Sequence, residues 1–217
     1  TQPMTYDLLI HGGGLAGCTA ALIARQRGLT VALVHDPAKP DCSHAAAGMV
    51  APVTGRYWTS REDTPARREA ALRHFRDAED TLQTLFLAEL HLVRRIRNPI
   101  DQARAEKRAR GSGRAAPWFG DRWSADDFPS ILDAPFGGFA LNGAFRIDLA
   151  AYTIAVRDHF ANEGLLFTIT DSPPEASHHL WACGHYETRP APAPEKWDPV
   201  RGETLRIALD GLPTDHA

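Results

Sequence analysis

The sequence predicts an α/β protein with a parallel sheet, and three observations support this class. An apolar run over Tyr6–His11 leads into a glycine-rich turn, and a helical segment and a second apolar run follow at once. Apolar residues at helical spacing mark further helices later in the chain, and short apolar runs with turn residues lie between them. A β-α-β unit that encloses a region rich in short strands indicates one domain with a second, antiparallel sheet inserted into it.

The first element is a strand over Tyr6–His11, because a short, mostly apolar run suits a strand that is buried on both faces. Gly12, Gly14 and Gly17 follow it with the spacing G-x-G-x-x-G. The first glycine permits a tight turn, the second lets the backbone approach a pyrophosphate, and the third lets the helix pack on the strand. The turn therefore indicates a dinucleotide-binding loop, and a glycine-rich structural turn is the alternative.

A helix from Leu15 to Arg27, ended by Gly28, and a strand from Thr30 to Val34 complete this unit. The helix N-terminus offers free N–H groups and a partial positive charge to phosphates. An acid that binds the ribose hydroxyls is expected just after the second strand, where this chain has His35 and then Asp36. No arginine follows closely, so a ribose 2′-phosphate has no evident partner, which disfavours NADP.

Composition is that of an ordinary soluble globular protein, since 43% of the 217 residues are hydrophobic and 24% are charged. A net charge of −3 favours neither nucleic acid nor an acidic membrane surface as a partner. The three scattered cysteines, Cys18, Cys42 and Cys183, are expected to be reduced thiols. No apolar run approaches membrane-spanning length and no leader precedes the first strand, so we expect a cytoplasmic protein. No metal site is predicted.

The middle of the chain is predicted to contain two helices with a strand between them. The first begins at Asp63-Thr64-Pro65, where a capping residue precedes a proline. Its apolar positions recur at helical spacing: Leu72, Phe75, Leu82, Leu85 and Phe86. A strand over Leu90–Ile96 and a helix from Asn98-Pro99 to about Gly111 follow. The basic stretch Arg104–Arg114 contains an acid and lacks aromatic residues, so a solvated helix face is favoured over a nucleic-acid interface.

A hairpin is predicted over Phe139–Ile147, because Asn142-Gly143 supplies the two residues with positive φ that a type I′ turn needs. Asp148 is expected to cap a helix that runs to about Glu163. Strands over Leu165–Thr170 and His179–Cys183 come next. A proline-rich connection and a last strand near Thr204–Ala208 end the chain.

The segment Ser43–Arg56, with the letters SHAAAGMVAPVTGR, resembles a known pattern when it is combined with the glycine turn. It is similar to the FAD-dependent oxidoreductases of the D-amino-acid oxidase, glycine oxidase and sarcosine oxidase family, in which a loop of small residues with a serine follows the second strand. Later landmarks occur in the family's order: Gly137-Gly138-Phe139, Asn142-Gly143, Arg146-Ile147-Asp148, Trp181–Gly184 and Pro199–Leu205.

The resemblance implies an FAD-binding, Rossmann-like domain of the glutathione-reductase type with an inserted, incomplete antiparallel substrate-domain sheet. We expect the FAD-binding domain over residues 1–60 and 148–186. The partial substrate or cap domain is expected over residues 61–147 and 187–217. Relatives in this family are longer, so the resemblance covers their N-terminal part only.

FAD is the cofactor that the resemblance implies, and a packing turn is the alternative for the loop of small residues. An Ala- and Gly-rich backbone can approach a flat ring system and offer it N–H groups. The expected cofactor-binding residues are Gly12, Gly14, Leu15, Ala16, Gly17, His35, Asp36, Ser43, His44, Ala47, Gly48, Met49 and Gly184.

Enzymes of this family oxidise the C–N bond of an amino acid or secondary amine by transferring a hydride to the flavin, and this implies a small-molecule amine or amino-acid substrate. An arginine is expected to clamp a substrate carboxylate with two parallel hydrogen bonds. Arg56, beside Tyr57 and Trp58, is the first candidate and Arg146 is the second, with a surface or structural arginine as the alternative for each.

The short length leaves further alternatives open. The chain is expected to be a truncated form, one fragment of a split enzyme, or a shortened relative that binds flavin without turnover. An unfinished sheet would expose an apolar edge, which a second chain would complete. An NAD-binding protein of another family is the third interpretation, and the loop of small residues and Gly184 disfavour it.

Overall fold

The computed structural model describes residues 5–39, 41–172 and 174–184. Within them the chain divides into two compact units. The first comprises residues 5–48, 78–86 and 148–184, and the second comprises residues 49–77 and 87–147. The predicted α/β class is confirmed, because the first unit contains a parallel sheet with helices and the second contains antiparallel sheets.

The elements follow one another in this order: β1 (Tyr6–His11), α1 (Leu15–Gln26), β2 (Val31–His35), α2 (Cys42–Ala45), β3 (Met49–Val50), α3 (Thr64–Leu82), β4 (Leu87–Glu89), β5 (Leu92–Arg95), α4 (Pro99–Arg110), a 3-10 turn (Ala116–Trp118), β6 (Phe119–Trp123), β7 (Gly138–Leu141), β8 (Phe145–Ile147), α5 (Leu149–Asn162), β9 (Leu166–Thr168) and β10 (Ala176–Trp181). Among the described residues, no helix has both the length and the apolar character needed to cross a membrane.

The sheet of the first unit has the strand order β10-β1-β2-β9, and all its neighbours are parallel. The centre of this sheet is buried, since Leu9 and Leu33 have no exposed surface. His11 at the end of β1 lies in register with Val34 on one side and Trp181 on the other. The carboxyl ends of three strands therefore meet at the glycine-rich turn. The predicted first strand is confirmed, and β10 begins three residues before the predicted strand at His179.

Helices α1 and α5 pack against each other in the first unit. The hydroxyl groups of Thr19 and Tyr152 lie 3.1 Å apart across this contact, and Tyr152 is fully buried. The predicted cap of α5 is confirmed, because Asp148 Oδ1 accepts a hydrogen bond from the Ala151 N–H at 3.0 Å. Capping by a side-chain oxygen satisfies an N–H group that the helix leaves unpaired.

The second unit contains two antiparallel sheets of three strands each, with the orders β3-β8-β4 and β5-β7-β6. The predicted hairpin over Phe139–Ile147 is wrong, since β7 and β8 belong to different sheets. Gly143 has φ of +76° but Asn142 does not have positive φ, so the turn is not type I′. Backbone groups of the turn bond elsewhere in this unit: the Asn142 N–H donates to the Trp118 carbonyl and Arg68 donates to the Gly143 carbonyl.

Two further predictions need correction. Helix α3 ends at Leu82, so Leu85 and Phe86 lie beyond it, and Leu85 is 85% exposed. Phe86 instead packs edge-on against Tyr152 in the core of the first unit. The strand predicted over Leu90–Ile96 is shorter, and β4 precedes it as a separate strand. The predicted strand over 204–208 and the prolines before it lie outside the described residues.

A buried carboxylate organises the core of the second unit. Trp58 has no exposed surface, and its indole N–H donates to Asp101 Oδ1 at 2.9 Å. Arg97 Nε donates to the other oxygen at 3.0 Å. Burial by itself raises the pKa of Asp101, but the hydrogen bonds from Arg97 and Trp58 outweigh it, and the pKa lies below its ordinary value.

We predict that Asp101→Ala lowers the free energy of unfolding by about 1–3 kcal/mol, because it leaves the buried indole N–H of Trp58 without an acceptor. Urea unfolding followed by circular dichroism measures this loss. The matched control is Asp133→Ala. Its carboxylate is 91% exposed and its Oδ2 lies 4.0 Å from Arg95 Nη1, which is a weak ion pair, so the substitution should lower the free energy of unfolding by less than about 0.5 kcal/mol. Equal effects of the two substitutions would contradict the prediction.

The same carboxylate predicts the sign of a pH effect. Its folded-state pKa is lowered, so its ionised form stabilises the fold above the ordinary aspartate pKa of about 3.9. As the pH falls through the lower folded-state value, this contribution is lost. The stability difference between wild type and Asp101→Asn should therefore narrow as the pH drops below about 4.

Candidate functional site

The glycine turn at the end of β1 is built from close backbone contacts. Gly12 has φ of +115°, and a Cβ placed on it would lie 2.4 Å from the Ala182 carbonyl oxygen. A Cβ on Gly17 would lie 1.7 Å from the Gly12 carbonyl oxygen. Real Cβ atoms do not approach backbone so closely, so both positions require glycine. The two contacts hold the start of α1 against the ends of β1 and β10.

Gly14 differs from the other two glycines, because the atoms nearest to a Cβ placed on it belong to polar side chains and not to the backbone. It is the N-cap of α1, where no acidic residue occupies the first turn. A Cβ on Gly14 would lie 3.2 Å from Ser43 Oγ and 3.9 Å from Asp41 Oδ1. Ser43 Oγ accepts a hydrogen bond from the Leu15 N–H at 2.9 Å. A helix N-terminus that has no acidic residue in its first turn and a serine hydroxyl beside it fits the diphosphate of a dinucleotide.

Ser43 and His44 lie on the short helix α2, which the sequence did not predict. Asp41 caps this helix, since its Oδ1 accepts a hydrogen bond from the Ser43 N–H at 2.9 Å. His44 Nε2 lies 3.0 Å from Thr153 Oγ1 on α5 and 3.3 Å from Asp41 Oδ2. The structure thus brings two predicted residues, Ser43 and Gly14, to the same helix N-terminus.

Arg157 on α5 joins this group, although no motif in the sequence marked it. Its Nη1 donates to the Gly13 carbonyl and to Asp41 Oδ2, both at 3.1 Å. Its Nη2 lies 3.2 Å from His44 Nε2. The side chain is only 11% exposed, so this guanidinium is nearly buried. An arginine in the middle of an amphipathic helix carries no sequence signal that distinguishes it from a solvated one.

His35, rather than Asp36, faces the glycine turn at the end of β2. A Cβ on Gly13 would lie 2.9 Å from His35 Nδ1, so the imidazole packs on this glycine. Burial lowers the pKa of His35, and the charge of Arg157 lowers it further. The Asp36 carboxylate bonds locally: Oδ1 accepts from the Ala38 N–H at 3.0 Å, and Oδ2 lies 3.6 Å from Lys39 Nζ.

Four of the other predicted cofactor residues lie at exposed positions, and Leu15 and Gly48 are half-buried. Ala16 is exposed on the first turn of α1, and Ala47 is exposed in the loop after α2. Gly48 follows with φ of +69°, and Met49, at the start of β3 in the second unit, is 52% exposed. Gly184, the last described residue, has φ of +63°, and no atom of the described part of the chain lies within 4 Å of a Cβ placed on it, its chain neighbours left aside.

The two candidate clamp arginines lie on different elements of the second unit. Arg56 lies in the turn between Thr54 and Thr59, where it donates to the Tyr57 hydroxyl and stacks 4.6 Å from the centre of that ring. Arg104 lies 5.0 Å from the same ring. Arg146 is exposed on β8, in register with Met49 of β3.

The turn that carries Arg56 is anchored by Trp58. This buried residue has φ of +52°, a conformation that bulky side chains rarely adopt. The backbone N–H of Trp58 donates to the Gly55 carbonyl, and the guanidinium carbon of Arg94 lies 3.8 Å from the centre of the Trp58 ring. Packing of the indole therefore determines the backbone conformation next to Arg56 and Tyr57.

A family model described as FAD-dependent oxidoreductase matches residues 7–213. The chain belongs to this family. The resemblance inferred from the glycine turn and the Ser43–Arg56 segment is thereby confirmed, and so is FAD as the predicted cofactor. The glycine turn, the N-terminus of α1 without an acidic residue in its first turn, and the hydroxyl of Ser43 fit this cofactor.

Solved structures share the fold at low sequence identity. Glycine oxidase from Geobacillus kaustophilus matches with a TM-score of 0.63 and 16% identity, over 84% of this chain and 56% of that protein. L-alpha-glycerophosphate oxidase from Mycoplasma pneumoniae, with FAD bound, matches with 0.52 and 16%, over 76% and 44%. Iminodiacetate oxidase from Chelativorans sp. BNC1 matches with 0.53 and 17%, over 76% and 47%.

The chain spans about half the length of these structural relatives. No curated protein sequence matches it at a significant level. The family model shows that the chain is an FAD-dependent oxidoreductase by family. The solved structures, which include amino-acid and amine oxidases, show that it shares their fold.

We predict that Gly14→Val abolishes FAD uptake without unfolding the chain. Gly14 has an extended backbone that valine adopts readily, but the side chain would fill the space beside Ser43. Flavin content of the purified protein measures uptake, and circular dichroism measures folding. Gly113→Val, at a glycine with open space around it, is the control and should retain flavin. Full flavin content in Gly14→Val would contradict the prediction.

Proposed function

We propose that the whole protein oxidises the C–N bond of an amino acid or secondary amine by transferring a hydride to FAD. The observation that carries this proposal is the N-terminus of α1, whose first turn has no acidic residue and where the Ser43 hydroxyl lies beside Gly14. Membership of the FAD-dependent family supports it. Structural neighbours named as glycine oxidase, iminodiacetate oxidase and an unusual amino acid oxidase support the substrate class.

Different residues of the chain are proposed to bind different parts of FAD. Gly12, Gly14 and Gly17, with Leu15 and Ala16, are proposed to hold the diphosphate. His35 and Asp36 are assigned to the ribose. Ser43 is assigned to the diphosphate or to the flavin. A last group is assigned to the flavin side: His44, Ala47, Gly48, Met49 and Gly184.

FAD, when bound, supplies the two-electron acceptor for the reaction. The task that remains for the chain is to hold a neutral amine with its Cα–H directed at the acceptor. Loss of a hydride from Cα, which the flavin would accept, would let the lone pair of the amine nitrogen form a C=N bond, and water would hydrolyse the resulting iminium ion. An amine that arrives deprotonated needs no strong general base from the protein.

Arg56 is our first candidate for binding the substrate carboxylate. Its guanidinium is exposed on a turn that the buried Trp58 anchors, and Arg104 brings a second positive charge to the same tyrosine ring. A guanidinium held in place loses less conformational freedom when it binds a carboxylate in two parallel bonds. Arg146, exposed on β8, is the second candidate.

We predict that Arg56→Met raises KM for an amino-acid substrate about 10- to 100-fold, as expected for loss of a charge-assisted hydrogen bond worth about 1.5–3 kcal/mol. Steady-state kinetics measure the effect, and Arg146→Met is measured in parallel. The control is Arg110→Met on α4, whose side chain is 81% exposed and should leave KM unchanged. An unchanged KM in Arg56→Met would remove this residue from the proposed site.

Purification tests the proposed function itself. A yellow protein whose flavin absorbance bleaches anaerobically when an amine or amino acid is added supports it. A yellow protein that no amine bleaches would support the alternative of a flavin-binding module or partial subunit that requires a second chain. A colourless protein stabilised by NAD but not by FAD would overturn it. We also infer a cytoplasmic location, which the low number and scattered positions of the cysteines in the sequence support.

A further inference from the structure

A carboxylate lies beside the proposed diphosphate site, where negative charge opposes phosphate binding. Asp41 Oδ1 is 3.9 Å from the position that a Cβ on Gly14 would occupy. The side chain of Asp41 is 15% exposed, so water screens it poorly. The N-terminus of α1 carries a partial positive charge that attracts any negative group. The Asp41 carboxylate and a bound diphosphate would both lie close to this charge, and they would repel each other.

Arg157 is placed to remove this conflict. Its Nη1 lies 3.1 Å from Asp41 Oδ2, and the same nitrogen donates to the Gly13 carbonyl. One guanidinium therefore contacts the glycine turn and the cap of α2 from its position on α5. His44 lies 3.3 Å from the same carboxylate oxygen, and the Ser43 N–H bonds the other oxygen.

The carboxylate is ionised in this setting. Burial raises the pKa of Asp41, but the hydrogen bond from Arg157, the neighbouring His44 and the Ser43 N–H together bring the pKa below its ordinary value. The negative charge at neutral pH thus stays beside Gly14, and its neutralisation depends on the cation opposite it.

We propose that Arg157 is a positioning residue of the FAD site, which neutralises Asp41 so that the diphosphate can bind beside Gly14. This inference rests on the dinucleotide site proposed above. The pair acts as a matched charge set: Asp41 caps α2 and orders Ser43, and Arg157 cancels the charge that this cap introduces. Charge removal on either side should therefore change FAD affinity in opposite directions.

Four variants of the apoprotein test the proposal by titration with FAD, with quenching of flavin fluorescence as the signal. Arg157→Met exposes the diphosphate to an uncompensated carboxylate, and its Kd should rise about 30-fold. Asp41→Asn leaves the arginine unpaired, and its Kd should fall about threefold. The double variant should return to within about threefold of wild type, and Arg157→Lys should bind better than Arg157→Met.

Ionic strength gives a second readout that a purely structural role would not move. Salt screens a partly buried pair of charges only in part, so Arg157→Met should bind FAD modestly more tightly as salt rises from about 0.05 to 0.5 M. Asp41→Asn should bind less tightly over the same range, since salt screens an attraction there.

The matched control is the ion pair of Arg25 and Glu163, 2.6 Å apart in the same unit and away from the glycine turn. Arg25→Met and Glu163→Gln should leave the FAD Kd within about twofold of wild type.

Two outcomes would overturn the proposal: a double variant Asp41→Asn/Arg157→Met that binds FAD as weakly as Arg157→Met, or weaker FAD binding by Asp41→Asn alone. If Arg157→Met does not fold, two other variants decide the matter: Asp41→Asn should bind FAD more tightly than wild type, and Arg157→Lys, which keeps the positive charge, should bind close to wild type. Failure of wild type to bind FAD would overturn the proposed site as well.

Discussion

The absence of a side chain at Gly17 is the constraint on which the first unit depends. A Cβ there would lie 1.7 Å from the Gly12 carbonyl oxygen, so α1 can begin directly against the end of β1 only with glycine at this position. That contact directs the N-terminus of α1 toward the carboxyl ends of the parallel strands. Ligands of open α/β sheets bind at this edge, where strand ends and helix N-termini meet.

Polar contacts to the turn come from residues far apart in the chain. Ser43 bonds the first N–H of α1, Arg157 bonds the Gly13 carbonyl, and Cys18 Sγ donates to that same carbonyl at 3.2 Å. Burial raises the pKa of the Cys18 thiol to about 12, so it remains a protonated donor rather than a nucleophile. The glycine turn is therefore preorganised by its surroundings and does not rely on glycine geometry alone.

The second unit follows a different principle, in which one aromatic residue organises the core. Trp58 packs near Phe119 and Phe139, bonds the buried carboxylate of Asp101, and lies under the guanidinium of Arg94. Its positive φ is maintained because these contacts together outweigh the local strain. Arg56 is exposed two residues before Trp58. The backbone from which its flexible side chain extends is therefore held in place by the buried indole.

The sequence by itself determined the elements whose signals are local. Glycine spacing placed β1 and α1, and the caps Asn98 and Asp148 placed the starts of α4 and α5, because each signal depends on residues a few positions apart. Only the tertiary structure decided which strands pair: the turn at Gly143 leads from one sheet to another, against its local hairpin signal. It also decided the place of Arg157, which meets Gly13 across 144 positions of sequence. Contacts of that range depend on packing of the whole unit, and local spacing carries no record of them.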